Sequence, residues 1–241
     1  LEWWHTLKDK FVLSFIDGDR WKWMLEGLSV TLQITFFAVL LGIVIGVVVS
    51  IVRATHDRTI ETMRPGFGRF LLRLFNTICK IYLTVIRGTP VVVQLMIAYY
   101  LIFTSSNNGV LIGTITFGIN SGAYVAEIFR AGIMSIDNGQ MEAGRSLGFN
   151  YIQTMWHIII PQAFKNVLPA LLNEFITLLK ETSVAGYVAV QDITKSTYMI
   201  IGRTYEPFIP LIALALVYLV IVMFFSWLVG KLERRLRTSD H

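Results

Sequence analysis

From Gly27 to Val52 the chain carries no ionisable side chain. At ~1.5 Å rise per residue such a run, coiled as a helix, is long enough to cross a ~30 Å hydrocarbon layer. Helix is the form it must take there, because a lone segment in lipid has to satisfy its own backbone N–H and C=O groups. Further apolar stretches predict a second span over Ile81–Phe103, a third over Val110–Met134, a fourth over Ile158–Thr182 and a fifth over Pro207–Gly230. Soluble domains hold about 25% charged residues, whereas this chain holds 15% charged and 54% hydrophobic residues. The expected fold is therefore all-α, an integral membrane bundle of about five transmembrane helices.

The segments between the spans set the orientation. Residues 53–80 carry Arg53, Arg58, Arg64, Arg69, Arg73 and Lys80 and read as a basic loop leading into a surface-lying helix. The tail after Gly230 reads KLERRLR, and the turn TSSNNG at 104–109 has no basic residue. Basic loops stay in the cytoplasm, so the N-terminus is expected outside and the C-terminus inside, although Lys8, Lys10, Arg20 and Lys22 precede the first span. The net charge of +5 reports this topology rather than nucleic-acid binding. Trp4, Leu7, Phe11 and Phe15 recur at helical spacing, which fits either an interfacial amphipathic helix or an ordinary packing helix. The division expected is an N-terminal segment over 1–24, a transmembrane domain over 25–232 and a cytoplasmic tail over 233–241. A single cysteine, Cys79, and scattered histidines (His5, His56, His157, His241) suggest neither an internal disulfide nor a metal site. The residues before 26 lack the short apolar core and small-residue cleavage site of a secretory signal, so no cleaved leader is expected.

Between the third and fourth spans lies NGQMEAGRSLGF, residues 138–149. Asp137 can cap a helix there, with Gln140 completing a reciprocal box, and Gly148 suits the left-handed position that closes it. Asn150 can cap a second helix that runs through IQTMWHIIIP into the membrane. The loop over 137–160 is thus expected to form two short helices joined at a glycine elbow, a knob fit to dock on a soluble partner or a plain interhelical loop.

In these residues the chain resembles the permease subunits of binding-protein-dependent, ATP-driven (ABC) importers. Their pattern of Glu-Ala-Ala, three residues, Gly, nine residues, then Ile-x-Leu-Pro is met by Glu142, Ala143, Gly144, Gly148, Ile158, Ile160 and Pro161, with Gly144 for the second Ala and Ile160 for Leu. RGTPVVVQL at 87–95, AYVAEIFRAGI at 123–133 and LLKETSVAGY at 178–187 look like stretches of the branch that imports polar amino acids. The resemblance implies a prokaryotic plasma (inner) membrane protein whose coupling helix, carrying Glu142, Ala143, Gly144, Gly148 and Pro161, fits an ABC ATP-binding subunit. It also implies two copies of that subunit per complex, an extracytoplasmic amino-acid-binding protein and a second permease copy, identical or closely related. No cofactor would bind this chain directly; ATP and Mg would be used by the partner.

Charged residues at depth in a membrane call for a partner or a wet cavity. Arg87, Glu127, Lys180 and Glu181 occupy expected spans. Arg87 and Glu127 could form a structural pair. Alternatively, Arg87 or Lys180 could meet a ligand carboxylate and Glu127 or Glu181 its ammonium, with Thr89, Gln94, Asn173, Thr182 and Ser183 adding neutral hydrogen bonds. The pairs Gly42/Gly46 and Gly118/Gly122 allow close helix packing, and Pro169 is expected to kink the fourth span.

No G-x-x-x-x-G-K-[ST] occurs, so the chain itself is not expected to be an enzyme. A self-sufficient secondary transporter or channel for small polar solutes is the alternative, but the sequence shows no internal repeat. An intramembrane enzyme would need clustered His, Asp or Ser–Lys pairs, and none stands out.

Overall fold

The computed structural model describes residues 2–238, with side chains for 5–236. Leu1, the side chain of Trp4, His241 and the end of the expected tail lie outside the described residues. Ten α-helices follow one another and no strand occurs among the described residues: α1 Glu2–Phe11, α2 Trp21–Thr59, α3 Phe67–Gly88, α4 Val91–Ile97, α5 Gly109–Met134, α6 Asn138–Ser146, α7 Tyr151–Thr154, α8 Ile160–Glu181, α9 Ile193–Thr204 and α10 Phe208–Thr238.

Three helices, α2, α5 and α10, are long and apolar enough to cross a membrane, and α3 with the helical stretch Val91–Ile102 makes a fourth if the two are one broken span. At 22 residues α8 has the length, about 33 Å. It lacks the apolarity, because Lys165, Glu174, Lys180 and Glu181 dilute it. About five spanning segments thus describe the chain by length, and three or four by length and apolarity together.

The second span departs from expectation. It does not run unbroken from Ile81 to Phe103: α3 starts at Phe67 and stops at Gly88, and a new helix starts at Val91. Pro90 is the cause. Its ring forces the preceding residue out of the helical region, and Thr89 sits at φ −122°, ψ 143°. The basic surface helix and the start of the expected span are one continuous helix. Between α8 and α10 lies a further helix, α9, capped by Asp192.

Internal contacts divide the chain into two compact units, Leu1–Ala38 with Val91–Phe117 and Ile176–Leu228, and Val39–Pro90 with Gly118–Phe175 and Val229–His241. In the first unit Phe15, Met24, Ile193 and Ile200 form the core, flanked by Trp23, Leu28 and Tyr218. The Thr31 hydroxyl donates to the Gly27 carbonyl and accepts from the Ile193 N–H at 3.2 Å. Lys10 reaches Glu206 at 2.9 Å. The segment after α1 therefore packs through Phe15, while Phe11, Leu13 and Ile16 stay exposed.

In the second unit the small residues act as anticipated, by packing within the bundle. A Cβ at Gly42 would lie 3.1 Å from Ser121, one at Gly46 2.5 Å from Val125, and one at Gly118 2.7 Å from Leu41. These approaches hold α2 against α5 at backbone distance. Leu83 joins Val49, Ala123 and Ala126 in the same core, and Val125, Val167 and Leu171 form its continuation onto α8. Pro169 lies inside α8, which continues through it.

Candidate functional site

The elbow is built as two capped pieces. The Asp137 carboxylate accepts from the Gly139 N–H at 2.6 Å and starts α6. Gln140 does not close a reciprocal box there; its side-chain oxygen, Oε1, accepts from the Gln162 side chain at 3.3 Å. The box forms instead at the second helix, where Gln153 N–H donates to Asn150 Oδ1 and Asn150 N–H donates to Gln153 Oε1, both at 2.9 Å. Between the helices, Gly148 N–H donates to Arg145 O at 2.9 Å and Phe149 N–H to Gly144 O at 3.1 Å. That bond pair defines a left-handed helix stop, and Gly148 occupies it at φ +84°.

Gly144 fixes how closely the two pieces meet. It is buried, and a Cβ there would stand 2.5 Å from Thr154 Cγ2 and 2.8 Å from Thr154 Oγ1. The Thr154 side chain is itself fully buried, with its hydroxyl donating to Asn150 O at 3.0 Å. Met141, Met155 and Ile158 then anchor the elbow to Ala54, Ile133, Ile159 and Ala163 at the ends of α2, α5 and α8. A five-residue π turn, Met155–Ile159, joins α7 to α8. Pro161 lacks an N–H and its ring crowds the carbonyl four residues earlier, that of His157, so the wider turn falls where the proline needs room.

Outward, the elbow offers Glu142, Ala143 and Arg145, all exposed, and three apolar side chains with little cover: Leu147 at 73% exposure, Ile152 at 75% and Trp156 at 68%. Large apolar side chains on a polar, rigidly seated protrusion are the chemistry of a docking surface.

The intramembrane charges are arranged otherwise than their spacing suggests. Glu127 does not meet Arg87. It sits between Arg53 at 3.2 Å and Arg130 at 3.1 Å, and Arg130 reaches on to Asp57 at 3.6 Å. Arg58 donates to the Ile133 carbonyl at 2.9 Å. These contacts tie the end of α2 to the end of α5. Arg87 is exposed and lies over the Tyr124 ring, 5.5 Å from its centroid. Thr89 Oγ1 donates to Val85 O at 2.9 Å, and Asn173 Nδ2 donates to Pro169 O at 3.1 Å. Arg87, Thr89, Glu127 and Asn173 belong to the second unit, and Gln94, Lys180, Glu181, Thr182 and Ser183 to the first. Thr182 is buried and donates to Leu179 O at 2.8 Å. Ser183 lines a cavity of about 350 Å³ with Gly186, Tyr187, Thr194, Lys195 and Tyr198.

Sequence reading missed Arg53 and Asp57 as partners of the third span, Glu174, which accepts from Ser121 Oγ at 2.8 Å, and Asp192. Asp192 is fully buried; Oδ1 accepts from Lys195 N–H at 2.8 Å and Oδ2 has no hydrogen-bond partner. Burial pushes its carboxyl up, against the backbone N–H groups of Lys195 and Thr194, which pull it down. Its place in the sequence, D-I-T-K before a helical run, was the available signal.

Comparison with known proteins gives concordant results. Residues 66–238 match the family model described as binding-protein-dependent transport system inner membrane component. The arginine transport system permease protein ArtQ of Bacillus subtilis is 36% identical over 220 residues, covering 90% of this chain and 94% of that protein. The glutamine transport system permease protein GlnP of Escherichia coli is 32% identical over 218 residues, covering 89% and 93%. Among solved structures, an amino acid ABC transporter crystallised with histidines superposes at TM-score 0.78 with 38% identity, covering 92% of this chain and 98% of that one. The MetNI methionine ABC transporter, at 19% identity and TM-score 0.73, shares the fold.

Proposed function

The chain belongs to the family of binding-protein-dependent transport system inner membrane components, and on that premise we propose that it forms the translocation pathway of an ATP-driven importer of polar or charged amino acids. The substrate class is supported by the amino-acid transport systems named for its relatives. The N-terminus lies outside and the C-terminus in the cytoplasm, which puts the elbow on the cytoplasmic side. There, residues 137–160 dock into a cleft of an ABC ATP-binding subunit, two copies per complex, and ATP with Mg is used by that subunit and not by this chain. An extracytoplasmic amino-acid-binding protein delivers the solute, and a second permease copy, identical or closely related, completes the pathway.

The observation that carries the coupling role is the build of the elbow. A lever must not bend at its joint, and here Gly144 against Thr154, the left-handed stop at Gly148 and the Asn150–Gln153 box fix the joint. Leu147, Ile152 and Trp156 are left to the partner. Closing of the ATPase dimer on ATP moves the docked elbows, and they move the helix ends to which Met141, Met155 and Ile158 bind them. Work is transmitted only because ATP prefers one of the two states. Of the expected pathway residues, this reading keeps Arg87, Thr89 and Asn173, which are exposed.

The test is ATP hydrolysis by the reconstituted complex with its binding protein across a panel of solutes. Amino acids should stimulate it; stimulation by sugars or peptides and by no amino acid would overturn the substrate class. The ATPase should copurify with the wild-type chain and be lost from a Glu142→Lys variant.

A further inference from the structure

Helix α3 sorts its side chains by chemistry along its whole length. Residues seven apart on an α-helix differ in bearing by only about 20°, so Arg73, Lys80 and Arg87 form one line, with Arg69 a turn before them. The neutral polar residues Asn76, Thr77 and Thr84 fall within the same strip, and no aliphatic or aromatic side chain interrupts it. Arg73, Lys80 and Arg87 are exposed, and Arg69 Nε is buried without a hydrogen-bond partner. Among the described residues none of the four cations forms an ion pair.

The depth of the strip follows from its neighbours. The Tyr82 hydroxyl donates to the Ile119 carbonyl at 2.6 Å, and Leu83 packs with Val49, Ala123 and Ala126. Ile119 to Ala126 is the middle of α5, a helix long and apolar enough to span. Lys80, Thr84 and Arg87 therefore stand at the level where α5 crosses the hydrocarbon. Unpaired cations at that level cost too much free energy to face lipid tails and belong beside water. A helix lying on the bilayer surface could show lipid headgroups the same strip, but its second half would not pack on the middle of a spanning helix.

We infer that the cationic strip of α3, from Arg69 to Arg87, lines a water-filled path and selects carboxylate-bearing amino acids of zero or negative net charge over cationic ones. A row of fixed positive charge in a narrow, partly apolar channel concentrates anions and repels cations. The carboxylate of each passing solute takes a charged hydrogen bond from Lys80 or Arg87, and Thr77 and Thr84 bond its neutral groups. The inference rests on the transport reading above, yet the wetness and sign of the strip are measurable without transport.

Thr84→Cys is placed in a Cys79→Ala chain, assembled as the full complex, and treated with two membrane-impermeant thiosulfonates, one a sulfonate and one a quaternary ammonium. Each rate is divided by that reagent's rate with a free thiol. The anionic reagent should be favoured at least about tenfold, the scale of focusing by a charged cleft. No reaction with either reagent, or preference for the cation, overturns the inference. In a second arm, uptake of glutamate, glutamine and arginine is compared in wild type, Lys80→Gln and Lys80→Arg, with complex assembly checked by copurification. Glutamate and glutamine should enter in preference to arginine. Lys80→Gln should lose about tenfold or more, as expected for one charged hydrogen bond, while Lys80→Arg retains uptake. Preference for arginine, or unchanged uptake by Lys80→Gln, overturns the inference. If no amino acid is carried while the thiol result holds, the failure is that of the proposed function instead.

Discussion

Replacing Gly144 by alanine sets two effects of opposite sign against each other. Alanine in a helix interior is favoured over glycine by about 1 kcal/mol. The added methyl, however, would sit 2.5 Å from Thr154 Cγ2, 2.8 Å from Thr154 Oγ1 and 3.1 Å from Ile158 Cδ1. Thr154 has nowhere to go, being fully buried and bonded to Asn150 O, and overpacking of this kind costs ~1–3 kcal/mol. Gly144→Ala should therefore loosen α6 by ~0–2 kcal/mol, visible as up to about thirtyfold faster hydrogen exchange at its amides. Substrate-stimulated ATP hydrolysis should fall with it. Adding Thr154→Ala removes both close atoms and should restore slow exchange, less the small loss of one hydroxyl bond. Slower exchange in Gly144→Ala than in wild type, with no coupling to Thr154→Ala, would refute the claim that the two helices meet at this contact.

Gly148→Ala tests the joint itself: nothing stands within 4 Å of its Cβ position, so the cost is purely that of a left-handed residue, ~1–2 kcal/mol, and Gly148→Asn should lose less, read again by exchange in α6. Lys10 lowers the Glu206 carboxyl below its ordinary value of 4.5, chiefly through a side-chain hydrogen bond. A carboxylate lowered in the folded state stabilises above its unfolded pKa and loses that contribution as pH falls through the folded value; the melting temperatures of wild type and Lys10→Gln should thus differ at neutral pH and converge in acid, and a gap that persists there would refute the pairing. Asp192→Asn keeps a capping oxygen for Lys195 N–H and removes a buried charge. It should hold or raise thermal stability, whereas Asp192→Ala, without a cap, should lose ~1 kcal/mol.

What the sequence revealed was local, and what it concealed was rotational. The uncharged run Gly27–Val52 lies wholly within α2, and the stop at Gly148 and the cap at Asn150 lie where their chemistry predicts, because short-range hydrogen bonds decide both. The reciprocal box proved to be at Asn150–Gln153 rather than Asp137–Gln140, since Gln162 from α8 claims the Gln140 side-chain oxygen, Oε1. Glu127 and its partner Arg53 are 74 residues apart in sequence. Which arginine faces Glu127 depends on how α2, α3 and α5 turn about their axes, and that is fixed by the Gly42, Gly46 and Gly118 contacts between α2 and α5 and by Tyr82 and Leu83 of α3, which composition does not reveal. Pro90 signalled a disturbance but not that α3 ends outright at Gly88. The line Arg73, Lys80, Arg87 was legible by spacing, and was obscured by dividing α3 between a surface helix and a span.

The proposed coupling requires the elbow to be a cytoplasmic lever seated on an ATP-hydrolysing partner. A photo-crosslinker attached at Leu147→Cys, in a Cys79→Ala chain, addresses it directly in membranes that contain the whole transporter. A docked cytoplasmic elbow should give a product with the ATP-binding subunit, together with no labelling of that cysteine by impermeant reagent from outside intact cells. A product with the extracytoplasmic binding protein, or ready labelling from outside, would contradict it.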